Sequence, residues 1–141
     1  MYLFNRHNVI LGKTYKLSCI DNCIEMYTIE QGKKFLIKKN GFKVLKINGG
    51  NDIFKINIDA KNTLEIIANQ KFDWLIIDHY EIDVKWESKV RVVAKKIMVI
   101  DDLANRIHDC DILLDQNIRI NAKERYKNLI PNECKSLFGP S

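Results

Sequence analysis

The sequence predicts an α/β protein built on an open parallel sheet with helices on both faces. Three observations point there. A chain of 141 residues with 46% apolar content can bury one real core and suits a single domain. From residue 42 onward, strand-like and helix-like segments alternate, the pattern of βα units on a parallel sheet. And "DWLIID" (73–78) and "KIMVID" (96–101) are apolar on both faces, as central parallel strands are, and each runs into a carboxylate.

Taken in order, "TYKLSCI" (14–20) reads as a strand, while residues 1–15 give no clear element and are left as uncertain or irregular. The stretch "KFLIKKNGFKVLKI" (34–47) admits two readings. Asn40-Gly41 between apolar runs is a hairpin signal. Ile29, Leu36 and Ile37, followed by Lys38, Lys39 and Gly41, equally describe the end of a helix, and the downstream alternation favours the helix. "FKVLKI" (42–47) is a strand ended by "NGGN". A helix follows around 60–70, with Leu64, Ile67 and Ala68 on one face. After the strand 73–78 comes a helix over 83–95, with Asp83 as N-cap and Trp86, Val90 and Val93 at helical spacing. The strand 96–101 leads through a short connection to a fourth at "CDILLDQN" (110–117). The tail holds a short helix, a Pro-broken loop and a last strand at "CKSLFG".

The net charge of +5 comes from scattered lysines, and the densest cluster, "KKFLIKK" (33–39), reads as a solvated face. No aromatic platform accompanies it, so a nucleic-acid partner is not expected. Cys19, Cys23, Cys110 and Cys134 form no C-x-x-C pair and have no histidines at zinc spacing, which predicts reduced thiols, no metal and no cofactor. The start lacks the apolar core of a signal peptide, and no run is long enough to cross a membrane. A soluble, cytoplasmic protein without a membrane partner is the expectation.

In open parallel sheets the ligand crevice lies beyond the carboxyl ends of the strands. Asp78-His79-Tyr80, Asp101-Asp102 and Asp115-Gln116-Asn117 all fall at such ends and should line one edge. Acids and amides there can serve a ligand or simply cap turns and helices. Composition leaves both open.

The segments "DWLIIDHYEIDVKWE", "KKIMVIDDLANRIHDCDILLDQN" and "RYKNLIPNECKSLFGPS" resemble the UDP-2,4-diacetamido-2,4,6-trideoxy-β-L-altropyranose hydrolases of pseudaminic acid biosynthesis. The resemblance covers residues 72–141 and extends more weakly back to Lys16. It implies a Rossmann-like domain, the N-terminal half of a glycosyltransferase-B-like fold. It also implies a reaction in which water attacks the anomeric carbon of a UDP-sugar and UDP departs. Such chemistry needs a base, donors to the sugar and stabilisation of the leaving diphosphate.

Carried over by position, Tyr80 matches the family's sugar-site tyrosine and is the candidate catalytic residue. Asp78, His79, Asp101, Asp102 and Asn117 become candidate cleft residues: His79 through a structural hydrogen bond, the others as cleft lining and loop anchors. His108 is read as fixing its loop. Two features depart from the family. Its base is a histidine in a G-x-G-H loop, whereas here Gly12 stands alone and His7 lacks neighbouring glycines. "LFGPS" also ends within a segment that the family continues into a UDP-holding domain. The resemblance therefore implies weak or no hydrolysis by these residues alone, with a companion chain carrying the UDP-binding half, or self-association. Two other readings are a magnesium-binding, receiver-like domain using Asp78, Asp101 and Asp102, and a non-catalytic interaction module.

Overall fold

The computed structural model describes residues 2–5, 8–12, 23–27, 43–46, 56–68 and 70–139. They form the strands β1 (Tyr2–Asn5), β2 (Asn8–Gly12), β3 (Cys23–Tyr27) and β4 (Lys43–Lys46), then helix α1 (Ile56–Ile67) and strand β5 (Phe72–Asp78). Helix α2 (Val84–Val90), a 3-10 turn (Arg91–Val93), β6 (Ala94–Ile100), β7 (Ile112–Asp115), the one-turn helix α3 (Ala122–Arg125) and β8 (Lys135–Phe138) follow. The strands make one open sheet in the order β4-β3-β2-β1-β5-β6-β7-β8. Strands β5, β6, β7 and β8 are mutually parallel, so their carboxyl ends share one edge. The architecture is α/β and Rossmann-like.

One strand departs from the expected all-parallel order. β1 runs antiparallel to both neighbours, pairing Leu3 with Ile10 on one side and with Leu75 on the other. A two-residue connection from β1 to β2 permits only a hairpin, because a parallel return needs a crossover of a dozen residues or more. Tyr2–Asn5 and Asn8–Gly12, within the stretch the sequence left uncertain, are thus two strands. The strand read over 14–20 and the helix read before Gly41 lie outside the described residues.

The core gathers on one face of the sheet. Strand alternation puts Leu75 and Ile77 of β5, Ile97 and Val99 of β6 and Leu113 of β7 side by side, each 1% exposed or less. Helix α1 covers them with Ala60 and Ile67, and α2 with Trp86 and Val90. The two helices are joined where Trp86 Nε1 donates to Asp59 Oδ2 at 3.0 Å, which satisfies the indole N–H inside the core.

Helix α2 begins where the sequence placed its cap. Asp83 has extended backbone and its Oδ1 accepts from the Lys85 N–H at 2.9 Å. The helix is shorter than the expected 83–95, because the 3-10 turn delivers Val93 and Ala94, both buried, into the sheet. β6 accordingly starts at Ala94. At this amino-terminal edge Arg91 holds Asp109 through Nε and Nη2 at 2.7 Å each, and Asp111 through Nη1 at 3.0 Å. The Asp111 carboxylate also accepts from the Ile97 N–H at 2.8 Å and from Lys96 at 3.1 Å. Burial alone would raise Asp111, but these donors outweigh it and hold the carboxyl below its ordinary value of 3.8.

Two outcomes follow. Ile97→Ala, at a site with no exposure, should cost about 2–5 kcal/mol in urea denaturation. Because Asp111 is depressed in the folded state, its contribution is fully present above the ordinary value and is lost as pH falls through the folded one. Thermal melts should therefore show Asp111→Asn less stable than the parent at neutral pH, with a gap that narrows below about pH 4.

Candidate functional site

The acids at the carboxyl edge divide into two sets. Asp101 and Asp115 continue the buried face of β6 and β7, and both carboxylates are shut off from solvent. Buried charge is tolerated only when paired and hydrogen-bonded, and each carboxylate is. Asp101 Oδ2 accepts from the Ala104 N–H at 2.9 Å, while its Oδ1 lies 2.8 Å from Arg106 Nη2. Asp115 Oδ1 accepts from the Asn117 N–H, and its Oδ2 from Arg125 Nη1, both at 3.0 Å. The Tyr126 hydroxyl is shared between the Asp101 carbonyl at 2.8 Å and Asp115 Oδ2 at 3.2 Å. Burial, followed by the charges of Asp101 and Asp115, pushes that phenol well above its ordinary range.

Each arginine also grips a loop. Arg106 donates to the carbonyls of Ile82 at 2.8 Å and His79 at 3.1 Å, fastening the "DHY" turn to Asp101. Arg125 donates to the carbonyls of Asp102 at 3.0 Å and Leu103 at 3.1 Å, fastening the "DDLAN" loop to Asp115. Within that loop Ala104 takes a left-handed φ of +50°, uncommon for a residue with a Cβ, and its bonded N–H helps to hold it there.

The second set faces outward. Asp78, Tyr80, Asp102 and Asn117 gather on the rim. Asn117 Nδ2 donates to Asp102 Oδ2 at 3.0 Å. Tyr80 is 63% exposed, and the negative charge of Asp102, then partial desolvation and the charge of Asp78, raise its phenol above the ordinary value. Desolvation raises Asp78 as well, reinforced by Asp102. The rim thus offers a protonated phenol as donor beside two carboxylate acceptors and an amide. His79 takes part differently: its Nδ1 accepts from the Glu81 N–H at 3.0 Å, closing the turn that presents Tyr80. Of the residues predicted from sequence, the structure brings Asp78, Tyr80, Asp102 and Asn117 together and places Asp101 beneath them. Among the described residues no three acids, histidines or cysteines converge as metal ligands.

Of the groups beneath the rim, sequence reasoning singled out His108, as fixing its loop, and passed over Glu87, Arg106, Arg125 and Tyr126. Glu87 and His108 are fully buried, with His108 Nδ1 2.7 Å from Glu87 Oε1. Glu87 Oε2 accepts from the Asp109 N–H at 2.7 Å, and the His108 N–H donates to the Leu129 carbonyl at 2.8 Å. An accepting carboxylate at Nδ1 makes that nitrogen the donor. The available signal was Glu87 itself, a charge beside Trp86 on the apolar face of α2. Arg106, Arg125 and Tyr126 gave no comparable sign.

An open α/β sheet whose parallel strands bring acids, an amide and a tyrosine to one carboxyl rim belongs to the Rossmann-like class, which takes ligands at that edge. No protein-family model matches the chain. It is 38% identical over 77 residues to the UDP-2,4-diacetamido-2,4,6-trideoxy-β-L-altropyranose hydrolase of Campylobacter jejuni subsp. jejuni serotype O:2. The match takes in 54% of this chain and only 27% of that protein. No helix among the described residues is long and apolar enough to cross a membrane.

Glu87→Ala would strand His108 Nδ1 and the Asp109 N–H, and should cost about 3–5 kcal/mol in chemical denaturation. Absorbance titration of the phenols should show Tyr80 ionising at lower pH in Asp102→Asn, since that substitution removes the largest charge opposing the phenolate. A titration unchanged by that substitution would separate the two groups.

Proposed function

We propose that this chain is a nucleotide-sugar hydrolase domain whose carboxyl rim holds the sugar of UDP-2,4-diacetamido-2,4,6-trideoxy-β-L-altropyranose, as in a glycosyltransferase-B-like enzyme of pseudaminic acid biosynthesis. The observation that carries this reading is the 38% identity to the hydrolase of that name. The grouping of Tyr80, Asp78 and Asp102 supports it. In this reading the Tyr80 hydroxyl donates to a sugar oxygen, Asp102 and Asn117 orient the pyranose substituents, and Asp78 is the carboxylate best suited to take a proton from attacking water. Its carboxyl already holds a proton more readily than an ordinary aspartate.

Hydrolysis by these 141 residues alone is proposed to be weak, because the 77 matched residues cover only 27% of the relative. A companion segment or chain, or a second copy, would supply further contacts. The exposed Ile118 and Ile120, just past Asn117, support such a contact beside the rim. A cytoplasmic setting fits the unbridged Cys110 and Cys134.

Calorimetric titration with the UDP-sugar should show binding that Tyr80→Phe weakens roughly three- to tenfold, the worth of one hydrogen bond. UDP release should be far slower than for the full-length relative. Binding indifferent to both Tyr80→Phe and Asp102→Asn would remove the rim from the reading; turnover equal to the relative's would overturn the claim of weak activity.

A further inference from the structure

Cys110 and Cys134 lie apart from the rim, and nothing in the proposed chemistry uses them. Cys110 precedes β7 and is 2% exposed; Cys134 directly precedes β8 and is half-buried. The sheet ladder binds their two segments together. The Lys135 N–H donates to the Asp111 carbonyl at 2.9 Å, and Ile112 pairs with Lys135 in parallel register. The sulfurs are left 3.5 Å apart and unbridged. A disulfide requires about 2.05 Å, so closure asks for side-chain rotation and little backbone movement.

The two thiols are unequal. Their mutual hydrogen bond, then burial, push Cys110 far up, so it keeps its proton. Either sulfur can donate in that contact, and the contact holds Cys134 below its ordinary value. Access differs in the same sense. Cys134 lines a cavity of about 360 Å³ together with Lys123, Lys127, Tyr126 and Ser136, and Cys110 does not. A thiol nearer to thiolate that opens on a cavity, backed by a buried partner in contact, is the arrangement of a redox-sensitive pair.

We propose that Cys134 is an oxidation site for small peroxides and Cys110 its resolving thiol, the two closing reversibly into an intrachain disulfide. The Cys134 thiolate attacks one peroxide oxygen, the O–O bond breaks, and water or an alcohol leaves after taking up a proton. Cys134 is oxidised by two electrons to the sulfenic acid and the peroxide is reduced. The Cys110 sulfur then attacks the Cys134 sulfur, the S–O bond breaks, and hydroxide leaves as water with the Cys110 proton. A thiol reductant returns both cysteines. The bond spans 24 positions, and the enclosed segment carries Asp115, Asn117, Arg125 and Tyr126. Oxidation therefore braces the loops that hold the rim.

The test uses the whole reduced chain, hydrogen peroxide and peptide mapping by mass. The expected result is loss of two hydrogens confined to the peptides of Cys110 and Cys134, reversed by dithiothreitol, with a higher melting temperature while oxidised. Cys110→Ser should accumulate a Cys134 sulfenic acid that dimedone traps, with Cys110→Ala as the substitute should the serine variant not fold. Cys134→Ser should leave Cys110 reduced. The proposal is overturned if Cys110 and Cys134 stay reduced while Cys19 and Cys23 oxidise, if bridges run to Cys19 or Cys23 instead, or if dimedone labels Cys110 rather than Cys134.

Discussion

Two carboxylates without access to water govern this end of the molecule. Asp101 and Asp115 terminate neighbouring parallel strands on the face that α1 and α2 cover. An ionised carboxylate there is costly unless every lone pair finds a donor. Arg106, Arg125, Tyr126 and the backbone N–H groups of Ala104 and Asn117 are drawn to these two points. The arginines have donors to spare, and they spend them on the carbonyls of His79, Ile82, Asp102 and Leu103. The loops of the rim are therefore positioned by the need to satisfy charges below it. Removing one acid would leave a half-buried arginine without its carboxylate and loosen a loop.

The pleat decides which acids do this work. Asp101 and Asp102 are adjacent, so their side chains diverge: one continues the face of Ile97 and Val99, the other emerges on the rim. Asp78, next in line after the inward-facing Ile77, emerges on the same side as Asp102, whose charge raises both Asp78 and Tyr80. A rim built this way is pre-formed. Its groups are fixed by strands and buried anchors rather than by the ligand, which is the condition for directed electrostatic stabilisation.

This explains how much could be read from the chain. β5, β6 and β7 were legible because a continuous apolar run ending at an acid has few other uses, and Asp83 was legible as a cap by its place before an amphipathic turn. β1 was not. "YLFN" is four residues long, and its partners, around Leu75, lie some seventy positions away, so only the assembled sheet defines it. At the site, the sequence located the acids but could not divide them, because one position of register exchanges rim for core. The Glu87–His108 contact joins a helix to a loop 21 positions on, a distance no local pattern encodes.

The charge of the rim limits what it can hold. Asp78 and Asp102 stand together, and Tyr80 keeps its proton in their field, so these side chains present carboxylate acceptors beside the neutral donors of Tyr80 and Asn117. A sugar with hydroxyl and amide groups offers donors that such acceptors match. A diphosphate does not: carrying negative charge to within a few ångströms of two carboxylates is repulsive, and more so in a half-buried site, where screening is weaker than in bulk water. If the chain acts on a nucleotide sugar, the rim must face the pyranose, and the diphosphate must lie against positive charge or helix amino termini elsewhere. On that reading the acidic rim is the sugar-facing half of the site. Arg106 and Arg125 are committed to buried aspartates and backbone carbonyls.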